Sequence, residues 1–194
     1  MNYLGHASLS PEDPQILIGN LAGDSVRAVQ IETLPLKVRQ GLELHESIDA
    51  ATDRSPGFRE LRGMISRAGM PYAGVLADLM IDYALASSWE ERRFESFVLF
   101  KQRVYRQLER GAGLVSQRFY FTASVLVLED WFESYRTLKG MRKAFFRLNR
   151  KTRRPLPQDK ISMFLADNRE LAVELGLAVA DYVEAELKQT GFEG

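Results

Sequence analysis

The pattern of apolar and polar positions predicts helices along almost the whole chain. Apolar residues recur at intervals of three and four, which is the spacing of one helix face. The stretch 114–135 is rich in aromatic and β-branched residues, so a strand is arguable there, but its length favours a buried helix. We expect an all-α bundle of about seven helices, in one domain that covers residues 1–194. The predicted helical stretches are 15–29, 34–53, 56–68, 72–89, 90–110, 114–135, 136–154 and 160–188.

The predicted helix 34–53 changes character along its apolar face. Its helical period places Val38, Leu42, His45, Asp49 and Asp53 on one stripe. Ionisable groups on a core-facing stripe need partners, because an unpaired buried charge is costly. Those partners could be a metal ion, a phosphate-bearing ligand or other side chains. An imidazole and a carboxylate four residues apart can bind one divalent ion, and an oxygen-rich donor set suits manganese, magnesium or iron.

Other ionisable residues also fall on or near apolar stripes. Asp24 shares a predicted face with Leu17 and Leu21, and Asp82 lies near the apolar stripe of the helix 72–89, four residues after Asp78. A carboxylate at these positions points towards the interior of a helical bundle. For Asp24, a frayed helix end is the alternative interpretation.

Composition excludes several classes of protein. Of the 194 residues, 26 are Lys or Arg and 26 are Asp or Glu, so no global charge favours nucleic acid or a membrane surface. The absence of cysteine excludes a disulfide framework, a thiolate nucleophile and a cysteine zinc site. No basic region followed by an apolar run opens the chain, and no apolar stretch approaches the length of a membrane span. We therefore expect a soluble, cytoplasmic protein without nucleic-acid or membrane partners.

Residues 136–154 carry a local excess of positive charge and no acidic residue. Four of the basic residues recur at four-residue steps, which predicts a basic ladder along one helix face. Such a ladder is either a solvated face or a binding surface for an acidic partner. Its members are Lys139, Lys143, Arg147 and Lys151.

Three local patterns, in this order and spacing, resemble the acyl-carrier-protein phosphodiesterase family, a divergent branch of the HD-type metal phosphohydrolases. They are MNYLxH at residues 1–6, GNLxGDxVR at residues 19–27 and LPxxVxxGLxLHxxIDxxTDxxP at residues 34–56. A looser match continues through Asp78, Asp82, Trp89, Trp131 and Tyr135. The resemblance covers essentially the whole chain.

The resemblance implies an enzyme that removes 4′-phosphopantetheine from acyl carrier protein with the help of a divalent metal ion, with Mn²⁺ expected and Mg²⁺ or Fe²⁺ as alternatives. It implies catalytic roles for Asp24, His45 and Asp49. Since acyl carrier proteins are acidic, the basic ladder would bind and orient the substrate, together with Asn20 and Arg27. The metal ligands and their supporting residues would come from His6, Asp24, His45, Asp49, Asp78 and Asp82.

The chain departs from the family pattern at two positions. Glu46 follows the motif histidine where arginine is common, and Tyr83 follows Asp82 where histidine is common. A glutamate repels phosphate where an arginine would bind it, and tyrosine removes one imidazole ligand. These departures keep two alternatives open, namely a catalytically silent relative that binds acyl carrier protein or another acidic partner, and a phosphohydrolase of a small phosphoester.

Overall fold

The computed structural model describes residues 1–26 and 28–191, with only the backbone described for residues 28–30. Arg27, a predicted substrate-binding residue, lies outside the described residues. The described chain is all-α, as predicted, and its twelve α-helices are α1 (Tyr3–Ser8), α2 (Pro14–Ala22), α3 (Leu36–Arg54), α4 (Pro56–Arg67), α5 (Ala73–Ser87), α6 (Trp89–Arg92), α7 (Phe97–Gly111), α8 (Gln117–Leu128), α9 (Trp131–Ser134), α10 (Leu138–Asn149), α11 (Gln158–Asp167) and α12 (Arg169–Gln189).

The helix count exceeds the prediction because three predicted long helices are each broken in two and because no helix was predicted where the short α1 forms. Between α6 and α7 the chain becomes extended, and Ser96 caps α7 by accepting a hydrogen bond from the Leu99 N–H. Between α8 and α9, Asp130 takes a left-handed conformation with φ of 47°. Between α11 and α12, the Asn168 amide donates to the Phe164 carbonyl and ends α11. These breaks depend on single polar residues, which a periodicity of apolar positions does not register.

Helix α2 is shorter than predicted. It ends at Ala22 and is followed by short 3₁₀ turns at Gly23–Ser25 and Ala28–Thr33. Its start is fixed by Asp13, whose carboxylate accepts hydrogen bonds from the N–H groups of Gln15 and Ile16. The early end is important for function, since it places Asp24 on a turn rather than on the apolar face of a helix.

The core is built around α5, which is buried on nearly every side from Leu76 to Ala86. A helix that is apolar all round is typical of a central position in a bundle. Helix α12 packs closely on it because Gly176 has no side chain, and a Cβ at Gly176 would lie 2.6 Å from the Ala84 methyl carbon. In the described part of the chain, no helix is both long and apolar enough to cross a membrane.

Two glycines allow helices α2 and α3 to touch at the backbone. A Cβ on Gly19 would collide with the Val38 carbonyl oxygen, and a Cβ on Gly41 would collide with the Ile16 carbonyl oxygen. The close approach brings the carbonyl of Asn20 within hydrogen-bond reach of His45 on the facing helix, at 2.8 Å. The glycine pair therefore sets the position of the polar residues described next.

We predict that Gly41→Ala lowers the free energy of unfolding by roughly 1–3 kcal/mol, because the added methyl group must push two backbones apart. Gly74→Ala is the matched control, since a Cβ there meets nothing within 4 Å. The control should leave stability unchanged or raise it by up to about 1 kcal/mol through helix propensity. Urea unfolding measures both, and equal stability of the two variants would contradict the packing described here.

Candidate metal centre and adjoining cleft

The two histidines of the chain meet at one carboxylate. His6 on α1 and His45 on α3 stack with ring centroids 4.3 Å apart and an interplanar angle of 19°. Their Nε2 atoms each lie 3.2 Å from an oxygen of Asp49, one on Oδ1 and the other on Oδ2. Residues of α1 and α3 thus converge on one site. The site is buried on the His6 side and open to solvent on the Asp49 side.

Asn20 fixes the orientation and the tautomer of both rings. Its backbone carbonyl lies 2.8 Å from Nδ1 of His45, and its side-chain oxygen lies 2.8 Å from Nδ1 of His6. The amide orientation is set because its nitrogen donates to the His6 carbonyl and to the Ser10 hydroxyl. Since both partners are acceptors, each Nδ1 carries a proton, and in the neutral form of each ring Nε2 presents a lone pair.

This donor set fits a divalent cation. With Nδ1 protonated, two Nε2 lone pairs face the Asp49 carboxylate, and acceptors that face each other require a proton or a cation between them. The candidate ligand atoms of His6, His45 and Asp49 all lie within 4.8 Å of one another. That separation is about twice a usual metal–ligand distance of roughly 2.1 Å. One ion can therefore replace the protons that otherwise hold the cluster together.

The ionisation of the cluster follows from burial and from the carboxylates. Burial lowers the pKa of His6 and favours its neutral, ligating form. Burial opposes the charged form of His45 too, but Asp24 and Asp49 outweigh it and raise the His45 pKa to about 9. Burial is likewise outweighed at Asp49, where the two imidazoles hold the carboxyl pKa well below its usual range. A proton on His45 is thus the alternative to a cation at this place.

Asp24 approaches the same centre from the solvent side. One of its oxygens lies 3.8 Å from Nε2 of His45, and its side chain is 90% exposed. The neighbouring His45 imidazole lowers the Asp24 pKa, so the carboxylate is ionised at neutral pH. Gly23 permits the approach, because a Cβ at that position would collide with the His45 ring. Asp24 is therefore available to a ligand or a water molecule at the centre.

Two predicted metal ligands have other partners. Asp82 is fully buried and accepts hydrogen bonds from the N–H groups of Leu4 and Gly5, at 2.9 and 3.0 Å. Burial raises its pKa to about 7, although these N–H groups favour the ionised form. Asp78 lies 3.0 Å from the amino group of Met1, which is also 3.7 Å from Asp49. Both carboxylates hold the N-terminal segment that carries α1. Among the described residues, neither belongs to the group of candidate metal ligands.

The predicted stripe on α3 is correct only in part. Val38 and Leu42 are buried and His45 and Asp49 are half-buried, but Asp53 is exposed. Asp53 is one turn beyond Asp49, close to the end of the helix at Arg54, where the stripe has left the core. Among the described residues, Asp53 is not part of the candidate metal group.

A cleft of about 240 Å³ adjoins the centre between α1, α5, α9 and α10. Its walls include Tyr3, Leu79 and Trp131 as well as Asp24, which also lines a cavity of about 20 Å³ beside His45. The small cavity has room for one water molecule or ion. The cleft combines an apolar wall with a charged mouth at the candidate metal centre, which is typical of a ligand site.

Two cations of the predicted basic ladder line this cleft. The Arg147 guanidinium lies 4.8 Å and the Lys151 ammonium 5.5 Å from the centre of the Trp131 ring. Arg147 also donates to the Ser134 hydroxyl at 2.8 Å. Burial and the neighbouring cations Arg118 and Arg147 lower the pKa of Lys151.

The basic ladder is not one continuous face. Lys139 and Lys143 are exposed on α10, whereas Arg147 is half-buried against Trp131. Lys151 follows the end of α10 at Asn149, so a helical period no longer applies to it. The ladder therefore divides into two lysines outside the cleft and two cations that line it.

Comparison with known proteins decides the family. The family model described as acyl carrier protein phosphodiesterase matches residues 1–183. The chain belongs to this family. Relatives called acyl carrier protein phosphodiesterase include those of Escherichia coli O6:H1, 31% identical over 140 residues, Serratia proteamaculans, 30% over 139 residues, and Shigella boydii serotype 18, 28% over 142 residues. Each alignment covers 71% of this chain and 72% of the relative. No solved structure matches the chain.

For this member of the acyl carrier protein phosphodiesterase family, sequence reasoning missed the role of Asn20. It was predicted to bind substrate, but the structure buries it completely between the two histidines. A signal existed, because Asn20 is a polar residue three positions after Leu17 on the apolar face of α2.

We predict that Asn20→Ala weakens divalent-metal affinity about 10–100-fold, the usual cost of losing a group that orients metal-binding histidines. The substitution removes the hydrogen bond to His6 but keeps the backbone carbonyl that binds His45. Ser10→Ala is the control, because it removes the Ser10 hydrogen bonds with the Asn20 amide and the His6 carbonyl but keeps both contacts of Asn20 with the imidazoles. Calorimetric Mn²⁺ titration of both folded variants measures the difference, and wild-type affinity in Asn20→Ala would contradict the tautomer argument.

Proposed function

We propose that this protein hydrolyses the phosphodiester bond between 4′-phosphopantetheine and a serine of acyl carrier protein, using a divalent metal ion held by His6, His45 and Asp49. Membership of the acyl carrier protein phosphodiesterase family supports the reaction and the substrate. The observation that carries the metal-dependent form is the convergence of two imidazole Nε2 atoms on one carboxylate. Manganese is our first choice of ion, with magnesium and iron as alternatives that suit the same nitrogen and oxygen donors.

The reaction needs an activated water molecule and a neutralised phosphate. A bound divalent ion supplies both effects, since it polarises a phosphoryl oxygen and lowers the pKa of water. In the hydrolysis, the water oxygen bonds to phosphorus, the bond from phosphorus to the serine oxygen breaks, and the serine oxygen takes a proton. Asp24 is ionised, exposed and beside His45, so it is our candidate for accepting the proton of the water.

The cleft supplies a place for the phosphate and for the arm attached to it. Lys151 and Arg147 offer positive charge near Asp24, and Trp131 with Tyr3 and Leu79 offers apolar surface. Charge-assisted hydrogen bonds to phosphate are stronger than neutral ones. We propose that the arm lies along the apolar wall while the phosphate faces the metal centre.

The two departures from the family pattern lie away from this arrangement. Glu46 is exposed on α3, and Tyr83 is buried on α5. Neither residue lines the cleft or the small cavity beside His45. This placement favours an active enzyme over a catalytically silent binding protein.

We predict that the wild-type protein with Mn²⁺ removes the phosphopantetheine mass from holo acyl carrier protein, and that His45→Ala and Asp24→Ala do not. Loss of a metal ligand or of the proton acceptor should each lower the rate by at least about 100-fold. Mass spectrometry of the carrier protein measures the reaction. Glu46→Ala is the control, because it removes a neighbouring exposed carboxylate outside the centre and should retain activity. An unchanged carrier mass with folded, metal-loaded wild type would end the proposal.

We predict that Lys151→Ala raises KM for the carrier protein about 10–100-fold, which corresponds to the loss of a charged hydrogen bond to phosphate. Lys143→Ala is the matched control from the same basic run, since its side chain is exposed outside the cleft. Steady-state kinetics at fixed ionic strength separate the two variants. Equal KM values in both would show that the phosphate does not bind at the cleft cations.

A further inference from the structure

We propose that the exposed stripe of α8 formed by Arg118, Phe121, Val125 and Leu128 is the surface on which the carrier protein docks. This inference rests on the proposed function, since it names the place where the protein part of that substrate binds. These four residues are called the α8 stripe below.

The α8 stripe is an apolar surface on a helix that is already packed. Its residues are separated by three, four and three positions, so they share one helix face. Phe121, Val125 and Leu128 are 58%, 41% and 86% exposed. The opposite face of α8 is buried in the core through Phe119, Ala123 and Leu126. Helix formation and core packing therefore do not explain the apolar residues of the stripe, and a contiguous exposed apolar patch is typical of an interaction surface.

Charge at the first end of α8 and chain connection at its other end relate this helix to the cleft. At the first end, the charge of Arg118 acts on the pKa values of Tyr3 and Lys151, which both line the cleft. At the other end, α8 stops at Leu128, and Trp131 of the cleft wall follows three residues later. The helix that carries the stripe thus leads directly into the segment that forms one wall of the proposed substrate site.

The chemistry of the reaction requires a docking surface at this mouth. In the phosphodiester substrate, only the Cβ and the oxygen of one serine separate phosphorus from the protein backbone. When the phosphate reaches the centre at His45 and Asp24, the carrier protein itself must lie against the surrounding rim. Arg118 and Lys151 make that rim basic. The rim therefore matches a partner that presents an apolar patch surrounded by acidic groups.

The test compares Phe121→Glu and Val125→Glu with wild type. Binding is measured by calorimetry with the carrier protein in its apo form, which has no prosthetic arm and reports the protein surface alone. Turnover is measured with the holo form. We expect each variant to weaken apo-carrier binding at least tenfold, to raise KM at least tenfold and to leave kcat within twofold of wild type.

The matched control is Leu171→Glu. Leu171 is 41% exposed, as Val125 is, but it lies on α12 rather than on the cleft side of α8. The same charge is added to a similarly exposed leucine, so the control should keep wild-type binding and KM. Circular dichroism and thermal unfolding establish that all three variants are folded.

The outcomes separate the docking surface from the reaction. Normal turnover with wild-type KM in both stripe variants would overturn the docking proposal and leave the phosphodiesterase in place. Stripe-dependent binding of the carrier protein without turnover would support the docking surface and refute the reaction. A lack of carrier binding by wild type would overturn the docking proposal. So would a wild-type dimer that Phe121→Glu converts to monomer, because the stripe would then be covered by a second copy.

Discussion

The polar centre of this protein depends on the contact between helices α2 and α3. Gly19 and Gly41 let the two backbones meet, and the contact brings Asn20 between the imidazoles of His6 and His45. A buried asparagine with all its hydrogen bonds made restricts what its neighbours can do. Here it directs both Nε2 atoms at the Asp49 carboxylate. The positions of the backbone and amide oxygens therefore create a need for positive charge at that point, which a proton on His45 or the proposed metal ion can supply.

The residues around the centre divide into supporting and reactive groups. Asp82 and Asp78 hold the α1 segment that carries His6, and they do so through backbone N–H groups and the Met1 amino group. Asp24 instead remains exposed beside His45 because it follows the end of α2. The cleft then extends from this exposed side. The histidine pair is thus held from the interior by Asp78 and Asp82, and it is open to solvent on the side of Asp24 and the cleft.

The all-α class and the approximate helix positions could be predicted from the sequence because apolar periodicity reports burial directly. The convergence of His45 and Asp49 on one face was also accessible, since they are four residues apart on α3. The breaks at Ser96, Asp130 and Asn168 were not, because a single polar side chain or one left-handed residue decides each of them. The same stretches remain compatible with longer helices when only their apolar positions are compared.

Apolar periodicity was equally insufficient to predict the candidate site. Carboxylates on apolar stripes indicated interior polar residues, but the stripe does not specify the partner. Asp82 therefore resembled a metal ligand although it accepts backbone N–H groups, and Asn20 resembled a substrate ligand although it orients the histidines. Partner choice depends on contacts between elements that are distant in sequence, such as the contact between His6 and Asn20, whose residue numbers differ by 14. Periodicity within one helix contains no information on such contacts.

Pulsed electron paramagnetic resonance of the Mn²⁺-loaded protein tests the central claim most directly. The chain has only two histidines, so every imidazole nitrogen coupled to the ion must come from His6 or His45. The proposed centre predicts couplings from two directly bound nitrogens in wild type and from one in His6→Gln. A bound Mn²⁺ ion without directly coupled nitrogen would place the metal on carboxylates elsewhere and would contradict this account of the site.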